Sequence, residues 1–101
     1  MSEFRLIAIA FGGILGLSTV EVAAQAGDIA YCIGYANAAV NHSQVARAFD
    51  GCQHFIRDLP ARWSLNYIDH FRACLPRFGS GRTALEEQAR IADLTECIRG
   101  Q

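Results

Sequence analysis

The sequence contains no lysine, and its single methionine is Met1. All nine basic residues are arginines, set against ten acidic residues, which gives a formal net charge of −1. A chain without a basic surplus or a cluster of basic residues lacks the electrostatic footprint of a nucleic-acid-binding protein. We therefore expect no nucleic-acid partner.

Motifs of known catalytic and cofactor sites are also missing: the sequence has no H-E-x-x-H, no P-loop, no G-x-G-x-x-G and no G-x-S-x-G. His54 has a carboxylate four residues away on either side, from Asp50 and Asp58. A hydrolase that uses His54 with one of them is therefore a third possible function, after the two that are given below. Ordinary pairing on a solvated helix face is the simpler interpretation. We expect His70 to be structural or at the surface and His42 to be exposed. The sequence thus predicts a protein that is not an enzyme and has no cofactor.

The four cysteines lack the spacings of metal and redox sites. No C-x-x-C occurs, and at least nineteen residues separate consecutive cysteines, whereas zinc sites need close pairs. An even number of cysteines in a short chain favours disulfides when the chain is exported, which the N-terminus described next predicts. We therefore expect two structural disulfides and no metal site, made by Cys32, Cys52, Cys74 and Cys97.

The N-terminus has the order of a secretory signal peptide. Arg5 precedes an apolar run over residues 6–17, and Ala-Gln-Ala at residues 24–26 matches a cleavage site. The apolar run is shorter than the ~20 residues that a membrane-spanning helix needs. We expect residues 1–26 to be removed and residues 27–101 to form a secreted or periplasmic domain without a stable membrane span. The alternative is an uncleaved N-terminal anchor.

Apolar residues recur at helical spacing through the remaining chain, and no period-two alternation predicts a strand. The pattern predicts a small all-α domain of helical hairpins, with four helices at residues 28–40, 43–58, 60–75 and 83–99. Residues 41–43, Pro60 and a capping box from Thr83 to Glu86 mark the helix boundaries. The buried faces of the first and last helices are expected to carry Ile29, Ile33, Ala36, Val40, Ile91, Leu94 and Ile98.

Four cysteines allow three disulfide pairings. For helices that run alternately up and down, a rise of about 1.5 Å per residue gives the axial offset of each possible bond. The nested pairing, Cys32–Cys97 with Cys52–Cys74, has offsets of roughly 7 to 8 Å, whereas the crossed pairing includes one of about 14 Å. The nested pairing is therefore predicted. Pairing of neighbours along the chain is the next choice if the bundle is not up-and-down.

A protein-binding module is the predicted function. Exposed tyrosines favour protein contacts, because they combine a rigid ring with a polar tip, and arginines bind carboxylates through two parallel hydrogen bonds. The partner is expected to be a protein, a second copy of this chain included. The candidate contact residues are Tyr31, Tyr35, Arg57, Arg62 and Arg72.

The alternative function is a small carrier. Trp63, Tyr67 and Phe71 stand four residues apart, and although this spacing is typical of a core, it is also compatible with an aromatic-lined pocket for an apolar ligand. In size, signal segment and helix content the chain resembles small disulfide-bonded periplasmic proteins of bacteria, such as acid-stress chaperones and immunity proteins against secreted cell-wall amidases. The resemblance implies a binding protein of that general kind and no particular site residue.

Overall fold

A computed structural model describes residues 19–100, with side chains from residue 26 onward. The apolar core of the predicted signal peptide, residues 6–17, lies outside the described residues, so the signal peptide stays a prediction. The chain divides into two units, residues 1–30 and 31–101. The buried clusters, the disulfides and the cleft described below all belong to the second unit.

Helices account for most of the described chain, and residues 19–100 contain no strand. The four α-helices are α1 Thr19–Arg47, α2 Gln53–Asp58, α3 Tyr67–Cys74 and α4 Arg82–Arg99. Single 3₁₀ turns precede α2 and follow α3, at Asp50–Cys52 and Leu75–Arg77. Within the described residues, the prediction of a small all-α domain with two disulfides is confirmed. None of these helices is both long enough and apolar enough to cross a bilayer.

Helix α1 does not break at residues 41–43, where the sequence predicted a boundary. The hydroxyl of Ser43 is buried and donates to the carbonyl of Ala39, 2.8 Å away. Arg47 in the last turn donates to the carbonyl of Ser43 at 3.0 Å. The Ser43 hydroxyl thus bonds to the preceding turn, as serines inside helices do, and does not act as a cap.

The two long central helices predicted for residues 43–58 and 60–75 are wrong, and two short helices take their place. Pro60 lies in a turn and does not begin a helix. Asn66 begins α3 instead, because its side-chain oxygen accepts the backbone N–H two residues further on at 3.0 Å, as a helix N-cap does. Trp63 lies in the non-helical connector between α2 and α3 and is fully buried, so this connector packs against the core.

Helix α4 begins without the predicted capping box. Its N-cap is Gly81, whose φ of 83° lies in the left-handed region that glycine adopts most readily. The hydroxyl of Ser80 accepts the backbone N–H of Arg82 at 3.2 Å. Thr83, predicted to cap the helix, is buried inside its first turn. Glu86 is therefore free to make side-chain contacts elsewhere.

The disulfides are crossed, Cys32–Cys74 and Cys52–Cys97, so the nested pairing predicted from helix offsets is wrong. The Cα atoms are 5.6 Å apart in the first bond and 5.0 Å apart in the second. The prediction placed Cys52 well inside a helix starting at residue 43. Cys52 instead ends a 3₁₀ turn directly before the short α2, so the offsets on which the prediction depended do not exist.

Two separate buried clusters each contain one disulfide. The larger is here named the tryptophan cluster and consists of Ala46, Cys52, Trp63, Leu94 and Cys97. The smaller is here named the tyrosine cluster and consists of Cys32, Tyr35 and Cys74, with Phe71 packed against it. The two disulfides thus hold together different parts of the domain.

Between residues 26 and 47, the buried side of α1 carries mostly small residues, and of the predicted stripe only Ala36 is fully buried. Ile33 is 42% exposed and Val40 is only half-buried. The positions that are buried are Cys32, Tyr35, Ala36, Ala39, Ser43 and Ala46. The disulfide at Cys32 fixes which side of α1 faces its neighbours, and that side excludes Ile33.

Candidate functional site

A cleft of about 350 Å³ is lined mainly by α3, α4 and the connector that precedes α3. The lining residues are Tyr35, Ala61, Arg62, Asp69, His70, Ala73, Arg77, Arg82, Thr83, Glu86 and Arg90. Ligand sites in proteins begin at roughly 300 Å³. Most of the lining residues are charged or polar, while the stems of these side chains and the alanines contribute apolar surface.

Helical spacing brings the lining residues to one side of each helix. They recur four residues apart from Asp69 to Arg77, along α3 and the 3₁₀ turn after it, and again from Arg82 to Arg90 along α4. The loop at residues 78–81 joins these two walls. Its two glycines have φ values of 81° and 83°, which allow the chain to reverse within four residues.

The cleft carries a surplus of positive charge. Its four guanidinium groups and two carboxylates, four minus two, leave two positive charges, and they belong to Arg62, Arg77, Arg82, Arg90, Asp69 and Glu86. The first turn of α4 contains no acidic residue, so the positive end of that helix dipole is not compensated locally. A concave surface with a surplus of one sign of charge attracts ions of the opposite sign. The cleft is therefore suited to anions.

Arg62 is the best-paired arginine of the cleft. Its Nε and Nη2 atoms donate to the two carboxylate oxygens of Glu86, at 2.7 and 3.3 Å. Its Nη1 atom donates to Asp93 at 3.1 Å. The hydrogen bond to Glu86 raises the pKa of Arg62 above its ordinary value, and the bond and charge of Asp93 act in the same direction. Arg62 thus joins the connector to α4 through two carboxylates.

Arg90 is fully buried and poorly paired. Its Nη1 atom donates to the hydroxyl of Tyr35 at 3.3 Å, and its guanidinium carbon lies 4.9 Å from the centre of the same ring. The nearest carboxylate oxygen, from Glu86, is 4.0 Å from Nη1. Nε and Nη2 have no hydrogen-bond acceptor among the described residues. Leaving buried charged donors unpaired costs free energy, and an anion that reached them would remove that cost.

His42 on α1 is influenced by the same arginine. It is half-buried, so the prediction that it is exposed is wrong. Its Nδ1 atom is buried and finds no partner in the described part of the chain. Burial lowers the pKa of His42 below its ordinary value of 6.5, the positive charge of Arg90 lowers it further, and Glu87 opposes the change. Protonation of His42 is therefore disfavoured in the folded protein.

The residues considered for acid–base chemistry do not form a site. His54 is exposed, and its ring centre lies 4.1 Å from that of Phe55. Asp58 pairs with its neighbour Arg57 at 3.0 Å. His70 is buried, with Nε2 2.7 Å from the carbonyl oxygen of Ser64, which gives this histidine a structural role.

The five residues predicted to contact a partner are divided between the cleft and the outer surface. Tyr35 and Arg62 line the cleft. Tyr31 is 40% exposed, and its hydroxyl lies 3.0 Å from that of the buried Thr83. Arg57 and Arg72 are exposed and lie outside the cleft lining. The prediction of these five as a partner-binding surface remains untested.

Sequence reasoning did not select three arginines of the cleft, Arg77, Arg82 and Arg90. For Arg90 a signal exists: it stands four residues before Leu94 and seven before Cys97, and both of these are buried. Residues three, four and seven apart share one helix face. A helical wheel centred on the disulfide cysteine therefore places Arg90 on the buried side.

The aromatic residues proposed to line a carrier pocket do not act together. Trp63 lies in the tryptophan cluster, and outside any helix. Tyr67 and Phe71 are one turn apart on α3 and stack with ring centres 6.0 Å apart. None of the three lines the cleft, so the carrier remains a prediction without structural support.

Comparison with known proteins adds no assignment: no family model matches the chain, and neither a curated protein nor a solved structure is significantly similar to it. Among the described residues, no group of three or more histidine, cysteine, aspartate or glutamate side chains is placed to hold a metal ion. The argument for function therefore depends on the geometry of the cleft.

Proposed function

We propose that this protein is an exported, non-catalytic binding module that holds acidic side chains of a partner protein in its arginine-lined cleft. This is the function predicted from the sequence, but the proposed contact surface is now the cleft. The main support is Arg90, a fully buried guanidinium with two nitrogens that have no acceptor among the described residues. A carboxylate matches this arrangement, because its two oxygens accept two parallel hydrogen bonds from one guanidinium.

Export is supported by the disulfides. Two disulfides form among the four cysteines, and disulfides persist in oxidising compartments such as the periplasm and the extracellular space. A small domain held in shape by two disulfides loses little conformational entropy when it binds. Immunity-type and chaperone-type partnerships would both use a rigid cleft of this kind.

A peptide titration tests the proposal directly. The probe is acetyl-Gly-Glu-Gly-Glu-Gly-amide, and its counterpart has glutamine in place of both glutamates. We expect the acidic peptide to bind and the glutamine peptide not to bind. Arg82→Gln should weaken binding about tenfold, the equivalent of ~1.4 kcal/mol for one charge-assisted hydrogen bond. Isothermal titration calorimetry measures both.

Arg57→Gln is the matched control, because Arg57 is exposed and lies outside the cleft. It removes the same charge, and we expect it to leave binding unchanged. Equal binding of the two peptides, or an equal loss in both variants, would contradict the proposal.

A pull-down from the native cell envelope then compares the cleft with the outer surface. The double variant Arg77→Glu/Arg82→Glu reverses two cleft charges, whereas Arg57→Glu/Arg72→Glu reverses two charges outside it. We expect the first variant to lose a partner that the second retains. The opposite result would favour the surface first predicted from the sequence.

A further inference from the structure

Arg62 holds the carboxylate of Glu86 in the way that an arginine holds a ligand carboxylate. The carboxylate accepts hydrogen bonds from Nε and Nη2 of Arg62, at 2.7 and 3.3 Å, which is two-pronged recognition of a carboxylate by a guanidinium. The same carboxylate is 4.0 Å from Nη1 of Arg90. One acidic side chain of the protein itself thus stands between the two arginines.

Arg62 does not depend on Glu86 for its pairing. Its third nitrogen donates to Asp93 at 3.1 Å, so Arg62 stays paired if Glu86 leaves. The side chain of Glu86 is 35% exposed, against 20% for Asp93. Glu86 is therefore the more easily hydrated of the two carboxylates.

Arg90 presents unused donors of the same kind. Nε and Nη2 are the two nitrogens through which Arg62 holds Glu86, and on Arg90 these two nitrogens have no acceptor among the described residues. They are also closed to solvent. An incoming acceptor reaches them only after a neighbouring side chain moves, and Glu86 is the partly exposed, charged neighbour of Arg90.

We propose that Glu86 is an exchangeable internal carboxylate, which an acidic side chain of the partner displaces from the two arginines. The inference rests on the proposed function, and it identifies the ligand group as a carboxylate that exchanges with one already in place. Two carboxylates of like charge do not share this position, so Glu86 competes with the partner in the unbound protein. Removing its charge should strengthen binding.

The test is Glu86→Gln, titrated with acetyl-Gly-Glu-Gly-Glu-Gly-amide. Glutamine has the same shape and can still accept a hydrogen bond from Arg62, so the fold is disturbed little. We expect binding to tighten about fivefold to tenfold, because the loss of one competing charge is of this order. Asp50→Asn and Glu96→Gln are the controls, since both carboxylates are exposed and lie outside the cleft lining. Each removes one negative charge and should change the affinity less than twofold.

A second measurement on the wild-type protein does not depend on the variant's folding. The Nε–H resonance of Arg62 in a ¹H–¹⁵N spectrum reports its bond to Glu86, and it should move as the acidic peptide is added, with the glutamine peptide having no effect. Peptide binding without movement of this resonance would overturn the inference, as would equal tightening in all three variants or no tightening in Glu86→Gln. In these cases the proposed function stands. If the wild-type protein and all variants fail to bind the acidic peptide, the proposed function fails and the exchange with it.

Discussion

The tryptophan cluster and the tyrosine cluster differ in what surrounds their disulfides. The hydrophobic residues packed against the first are Phe49, Phe55, Ile56 and Ile98, and the guanidinium of Arg47 donates to the backbone carbonyl of Trp63 at 2.8 Å. Beside the second, the ring of Tyr35 contacts the buried guanidinium of Arg90 and forms part of the cleft lining. One disulfide thus supports a mainly apolar core, and the other supports a wall of the arginine-lined cleft. Under the proposed function, stability and recognition would depend on different bonds.

Removal of either disulfide should have the largest effect on the free energy of unfolding. The sequence separations are 45 for Cys52–Cys97 and 42 for Cys32–Cys74, so the chain-entropy model gives each bond about 4 kcal/mol. Any difference between the two must therefore come from packing. Cys52 and Cys97 pack in the larger cluster with Trp63, so we expect their replacement by alanine to cost about 1 kcal/mol more.

Urea unfolding of the two double-alanine variants measures both losses. The variant that keeps Cys52–Cys97 is the control for the general effect of losing a cross-link. A larger loss for the Cys32/Cys74 variant would reverse the roles assigned to the two clusters.

A change of intermediate size in the free energy of unfolding is expected for Arg90→Met. The substitution removes a buried charge with unpaired donors and keeps much of the side-chain length, so the free energy of unfolding should rise by about 1 kcal/mol. Arg62→Met should lower it by about 1 kcal/mol, because Glu86 and Asp93 would lose the cation that joins them. Chemical unfolding measures both changes. If Arg90→Met destabilises the protein as much as Arg62→Met, Arg90 stabilises the fold, and its unpaired donors no longer support carboxylate binding in the cleft.

The smallest expected effect is a pH dependence that comes from His42. Its pKa is lower in the folded protein than its ordinary value of 6.5, because of burial and the charge of Arg90. The unfolded chain therefore takes up a proton more readily as the pH falls below about 6.5. The stabilising contribution is present above this pH and is lost on acidification towards the folded pKa. His42→Gln should flatten the fall in urea midpoint between about pH 7.5 and pH 5.5.

His54→Gln is the control for this experiment, because His54 is an exposed histidine on α2. It should leave the dependence of the urea midpoint on pH unchanged. An unaltered slope in His42→Gln would show that other groups cause the effect.

The features of the fold that could be predicted from the sequence are the local ones. Helical spacing predicted the all-α class, and the even number of cysteines in a short chain predicted two disulfides. The pairing could not be derived, because it depends on where each helix ends. Ser43 illustrates the difficulty: a serine after asparagine and histidine is typical of a helix start, yet its hydroxyl bonds back to Ala39 and the helix continues.

The candidate site was predicted only in part, since Arg62 and Tyr35 were selected and Arg90 was not. Helical spacing predicted Ile91 on the buried face of α4, but Ile91 is 47% exposed while Arg90 beside it is fully buried. The rotation of α4 is set by Leu94 and Cys97, which face the core. Hydrophobicity alone does not reveal this rotation, because it depends on a disulfide partner 45 residues away.

The crossed disulfides also determine what proteolysis can do to this domain. Cys32 and Cys52 both lie before the connector at residues 59–66, and their partners, Cys74 and Cys97, both lie after it. A backbone cut in the connector leaves two pieces joined by both bonds. A second cut in the loop at residues 78–81 leaves three pieces, each still linked to the one that carries α1. The piece before the connector carries both Cys32 and Cys52 and so holds the other two, and the domain remains a single molecule after its chain has been cut twice.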